Sequence, residues 1–99
     1  MPTMIRYTVH ADQAARNEEL VRAVYAALAS TQPAGLRYAT FKLDDGCTFL
    51  HLADTGQGPS PLLEVPAFQA FQAGLGERCS APPVRTALEG IGAFRWPAG

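Results

Sequence analysis

Ninety-nine residues, 47% of them apolar and 17% charged, describe a single domain spanning 1–99, with enough apolar side chains for a core and no room for a second unit. A net charge of −1 with scattered Lys and Arg leaves no electrostatic footprint for nucleic acid or an anionic membrane, so neither is an expected partner. MPTMIRYTVH lacks the basic, apolar and small-residue succession of a secretion signal, and no apolar run approaches spanning length, so the expected location is cytoplasmic. Cys47 and Cys79 fit neither C-x-x-C nor zinc spacing and are expected as free, buried thiols.

The hydrophobic period changes in the order alternating, helical, alternating, alternating, helical, alternating. That order is β-α-β-β-α-β and predicts a ferredoxin-like α+β domain, a four-stranded antiparallel sheet with two helices on one face. In the first strand, about Met4 to Ala11, Ile5, Tyr7 and Val9 share one face and Arg6, Thr8 and His10 the other. Asp12 is the expected N-cap of a helix whose apolar stripe is Leu20, Val21, Val24, Ala27 and Leu28, and which stops near Ser30 or Thr31. Gln32 before Pro33, with Gly35 following, forms the turn.

LRYATFKLDDGCTFLHLADT reads as a hairpin turning at Asp45-Gly46. Leu36 and Tyr38 oppose Ala39, Phe41 and Leu43, while Leu50 and Leu52 oppose Phe49 and Ala53, so neither face of the hairpin is cleanly polar. Two apolar faces need two covers: the helices on one side and, in so short a chain, a second copy of the sheet on the other. TGQGPSP, from Thr55 to Pro61, is the main loop, an ordinary solvated connection or, in the competing reading, a candidate lid. A second helix, about Pro66 to Cys79, carries Phe68, Phe71 and Leu75, and Pro82 and Pro83 end it. The last strand is expected within VRTALEGIGAFRW, with a bulge at Gly90 or Gly92 and Trp96 as an anchor.

With its two-sided hairpin, the aromatic helix PAFQAFQAGL and the closing GIGAFRW, the chain resembles the antibiotic biosynthesis monooxygenase-like proteins of the dimeric α+β barrel superfamily. The resemblance implies a homodimer of sheets packed face to face and a pocket between each sheet and its helices for a small apolar or aromatic molecule. It also implies, for members that are enzymes, oxidation of quinols or polyphenols by O2 with no cofactor. Haem-degrading relatives use a His from the second-helix region with an Asn and a Trp from strands. Residues 62–79 here hold no His, the only Asn is Asn17 in the first helix, and Trp96 stands at the chain end, so haem chemistry is not expected.

Among the residues themselves, His51 lies mid-strand between Leu50 and Leu52, where an imidazole can serve as a general base or as a core hydrogen-bonding group. Tyr7 is the expected catalytic partner. His10, Arg37 and Arg6 are the expected substrate-binding groups, with intersubunit salt bridges as the competing role for the two arginines. Tyr38 is expected as a core residue. Two histidines without neighbouring carboxylates or thiols at ligand spacing predict no metal site. The expected function is a cofactor-independent monooxygenase binding an aromatic, quinol or polyketide-like molecule. The alternative is a noncatalytic homodimeric ligand-binding or interaction module.

Overall fold

The structure, a computed structural model, describes residues 2–56 and 58–95. Strands β1 (Thr3–Val9), β2 (Arg37–Lys42), β3 (Thr48–Asp54) and β4 (Cys79–Ala87) form one antiparallel sheet in the order β2-β3-β1-β4. Helix α1 (Ala14–Thr31) follows β1, while α2 (Pro66–Ala73) and the single turn α3 (Leu75–Arg78) precede β4. This is the ferredoxin-like order read from the hydrophobic periods.

Alternation along β1 and β3 turns Tyr7, Val9, Phe49 and His51 to the helices, and all four are buried. Along α1, Asn17, Val21 and Val24 recur at i, i+4 and i+7 and are buried against that face. Phe68 and Phe71 of α2, with Leu62 and Val65 just before it, close the core. The opposite face carries Met4, Phe41, Leu50 and Leu52, which a single chain leaves half-buried.

The hairpin turns where expected. Leu43 N–H donates to the Thr48 carbonyl at 2.8 Å and Gly46 N–H to the Leu43 carbonyl at 3.0 Å. Gly46 alone supplies the positive φ, +75°. Asp45 instead accepts from the Cys47 and Thr48 amides, both at 2.8 Å. Both thiols are free. They flank Val9, Cys47 through the Val9 N–H bond to its carbonyl and Cys79 through register pairing. Two strand spacings separate them by about 10 Å, beyond the roughly 7 Å limit for a disulfide.

Three expectations are corrected. Asp12 is not the N-cap, because the chain tightens into a 3-10 turn (Ala11–Gln13) that runs straight into α1 and leaves the cap position to Gln13. The second helix ends at Ala73 rather than Cys79, interrupted at Gly74, where a Cβ would come within 3.0 Å of Arg78 Nη1. The last strand starts at Cys79 and contains both prolines. β4 is a sheet edge, and its register with β1 shifts between Arg6↔Val84 and Thr8↔Ala81, so Pro82 and Pro83 together face Tyr7 in a bulge that needs no ladder donor. Gly90 and Gly92 lie beyond the strand, and Trp96 lies outside the described residues.

A Cβ at Gly46 would meet no atom within 4 Å, so replacing it strains only the backbone. Gly46→Ala is expected to lower stability by about 1 kcal/mol, read as a lower urea midpoint at unchanged slope.

Candidate active site

β3 presents His51 to the helices, level with Ile5 of β1 and Thr40 of β2. Its ring is 2% exposed, and both nitrogens are engaged. Tyr7 Oη lies 2.8 Å from Nε2, and Tyr38 Oη 2.6 Å from Nδ1 with Thr40 Oγ1 at 3.2 Å. Thr40 Oγ1 meets Tyr25 Oη of α1 at 2.7 Å. On the other side, Asn17 Nδ2 donates to Tyr7 Oη at 2.9 Å, and Arg78 donates from Nε to Asn17 Oδ1 at 3.1 Å and from Nη2 to the Phe71 carbonyl at 2.7 Å. A continuous polar chain thus crosses an aromatic layer, with Phe71 5.5 Å from the His51 ring centroid and Tyr25 stacked on Tyr38 at 5.3 Å.

A cavity of about 530 Å³ opens against this chain, within the size range of small-molecule sites. Ile5, Tyr7, Tyr38 and His51 form its sheet wall, and Phe68, Phe71, Gln72 and Leu75 its helix wall. Thr55, Gly58 and Ser60 of the loop after β3 border it, as do Pro83 and Arg85 of β4. Among the described lining residues there is one cation, Arg85, and no carboxylate. Among the described residues no cluster of three or more His, Cys, Asp or Glu side chains is placed to hold a metal ion.

Burial pushes the His51 pKa down from 6.5 to about 4, so the ring is neutral near neutral pH, with one nitrogen donating and one accepting. Burial raises both phenols, Tyr7 and Tyr38, and keeps them protonated. The wall is therefore a neutral relay of hydroxyl, imidazole and hydroxyl, able to move a proton without first carrying charge.

His51 and Tyr7 are brought together on the cavity wall. The other three expected site residues stand elsewhere. Strand alternation turns Arg6 and Arg37 to the face opposite Tyr7 and Tyr38, where both are exposed, and Arg37 borders a shallow groove with Gly35, Leu36, Asp54 and Gly56. His10 is exposed in the turn leaving β1, its amide donating to the Arg78 carbonyl at 2.8 Å. Tyr38, expected as a core residue, also lines the cavity. The sequence reading missed Asn17, Arg78 and Arg85 as site residues. Asn17 carried a signal, since it extends the buried stripe of Val21 and Val24 by one turn and is 0% exposed. Arg78 meets it across 61 residues, which no local pattern encodes.

By sequence, no protein-family model and no curated protein matches the chain. Solved structures do match it. A Nitrosomonas europaea protein assigned to the antibiotic biosynthesis monooxygenases aligns at 16% identity with a TM-score of 0.73, over 99% of this chain and 92% of that one. Rv0793 from Mycobacterium tuberculosis aligns at 19% identity and a TM-score of 0.69, over 93% and 95%. SnoaB, a cofactor-independent oxygenase from Streptomyces nogalater, aligns at 19% identity and a TM-score of 0.61, over 91% and 94%. The chain has the ferredoxin-like α+β fold of these structures, which include proteins assigned to the antibiotic biosynthesis monooxygenases. At these identities the likeness is one of fold.

Between about pH 4 and 6.5 the unfolded chain binds a proton at His51 that the folded chain refuses, so stability falls as pH drops through that window. The shift corresponds to about 3 kcal/mol. In urea denaturation, the stability advantage of the wild type over His51→Gln should narrow by up to that amount from about pH 7 to about pH 4. An advantage independent of pH would contradict a buried neutral imidazole.

Proposed function

We propose that the protein is a cofactor-independent monooxygenase acting on a small aromatic, quinol or polyketide-like molecule held between sheet and helices. The observation that carries this reading is the cavity wall itself, a neutral imidazole hydrogen-bonded on both sides to phenols inside an aromatic enclosure. A solid aromatic packing in its place would have favoured a noncatalytic module.

In this reading a phenolic or enolic ligand gives its proton to Tyr7 as the Tyr7 proton passes to His51 Nε2. The ligand oxyanion is steadied by the Tyr38 hydroxyl and by Arg85, the cation bordering the cavity. Charge delocalised onto the ring C–H carbon ortho or para to that oxyanion gives it carbanion character. That carbon adds O2, the peroxide takes up the proton held on His51 to form a hydroperoxide, and loss of water leaves a carbonyl at the former C–H carbon, so one oxygen atom is retained and the other leaves as water. Arg85 takes the role that the sequence suggested for Arg6 or Arg37, because β4 turns it toward the helices level with Ile5. The similarity in fold to SnoaB, a cofactor-independent oxygenase, supports the reading.

The protein is further proposed to be a homodimer, a second copy covering the half-buried Met4, Phe41, Leu50 and Leu52 and the 60% exposed Val84. Among the described residues no helix is long and apolar enough to cross a membrane, and a cytoplasmic location is proposed with the two free thiols. An interface of this kind buries at least roughly 1,600 Å². Sedimentation should give a dimer at micromolar concentration, and a monomer would remove the second copy from the account.

Oxygen uptake against a panel of quinols and polyphenols tests the activity. With an oxidised substrate in hand, His51→Gln is expected to lower turnover by about 10² to 10⁴ while ligand affinity stays within a few fold. An unchanged rate removes His51 from the chemistry. Binding without oxygen uptake by the wild type moves the protein to the noncatalytic reading.

A further inference from the structure

Arg78 is 7% exposed, yet it has no carboxylate partner among the described residues. Its guanidinium sits 5.4 Å over the Phe71 ring, in space that a side chain at Gly74 would fill, and its two hydrogen bonds go to neutral oxygens. A buried cation without a counter-charge is an expensive way to anchor a helix. What it supplies that a neutral side chain cannot is a group that only donates.

That property propagates. A donor against Asn17 fixes the amide with its oxygen toward Arg78, because the turned amide would set N–H against N–H. The Asn17 amino group must then donate to Tyr7 Oη. With that lone pair occupied, the Tyr7 proton has one acceptor in reach among the described residues, His51 Nε2, since the residue is 1% exposed. Nε2 is thereby bare, so the proton of the neutral ring sits on Nδ1 and points to Tyr38 Oη at 2.6 Å. Tyr38 then accepts at His51, and its own proton is left for Thr40 Oγ1 or for an oxygen in the cavity. The opposite order would leave a buried Tyr7 hydroxyl without an acceptor among the described residues.

We infer that Arg78 is a positioning residue: acting through Asn17 and Tyr7, it holds His51 in the Nδ1–H tautomer, with the basic Nε2 behind Tyr7 and the Tyr38 hydroxyl accepting from Nδ1–H. The catalytic meaning of this order rests on the monooxygenase reading, but the order itself is a property of the free protein. A protein that oxidises nothing can still show it, so the two claims fail separately.

The test is two-bond 1H–15N correlation of the His51 ring in 15N-histidine-labelled protein without ligand, near neutral pH, in a His10→Gln background so that one histidine reports. The wild-type side should show a single Nδ1–H tautomer. Asn17→Asp keeps the shape and pairs with Arg78, but its carboxylate only accepts. It should draw the Tyr7 proton to itself and switch His51 to Nε2–H. Arg78→Met releases the amide and should replace the single tautomer by a mixture, which gives a second reading if Asn17→Asp does not fold. An Nε2–H ring in the starting protein overturns the inference, as does a folded Asn17→Asp or Arg78→Met that keeps an unmixed Nδ1–H signal. A merely structural Arg78 would change stability and leave the tautomer alone.

Discussion

The hydrogen bonds on either side of His51 are the constraint on which the rest of the arrangement depends. An imidazole 2% exposed in an aromatic layer is tolerable only when both nitrogens are satisfied, and the partners come from two different strands. Tyr7 ties it to β1, Tyr38 and Thr40 tie it to β2, and through Asn17 and Arg78 the same chain reaches α1 and the turn before β4. The register of the sheet and the seating of the helices are thus read by one side chain. Its surroundings keep it neutral, a state from which it can accept a proton.

The cavity exists because the aromatic side chains do not close over this chain. Phe68 and Phe71 form a wall facing the sheet, and the loop bearing Thr55, Gly58 and Ser60 borders the space instead of filling it. Arg85 reaches the cavity from an edge strand bent by two prolines. The bulge opposite Tyr7 lets β4 follow the sheet and still turn a cation toward the space beside His51. Outside the cavity, the same alternation that makes the site leaves a second half-buried apolar face, which is why fold and proposed assembly are linked.

Much of this was legible in the sequence. The alternation that turns Ile5, Tyr7 and Val9 to the helix side is local, as is the stripe of α1 and the Gly46 turn, and each formed where the pattern placed it. The position of His51 between Leu50 and Leu52 already put it on the face opposite those leucines. What alternation could not say was which face would be hollow, so Arg6 and Arg37 read as candidate substrate-binding groups, with intersubunit salt bridges as their competing role, although they stand across the sheet from Tyr7. The start of β4 is hidden in the sequence because proline stops a helix or a central strand but is tolerated at a sheet edge, where Pro82 and Pro83 lie. The bond from Asn17 to Arg78 spans 61 residues and could be found only once the chain was folded.

The most direct test of the central claim, a buried neutral imidazole held between two phenols, is an NMR pH titration of the His51 ring carbons in the intact protein. The account predicts constant shifts from about pH 8 down to about pH 5 and a transition near pH 4, reached as burial is overcome. A transition at or above the ordinary value of 6.5 would mean an imidazole open to water or paired with an anion, and would contradict the site described here.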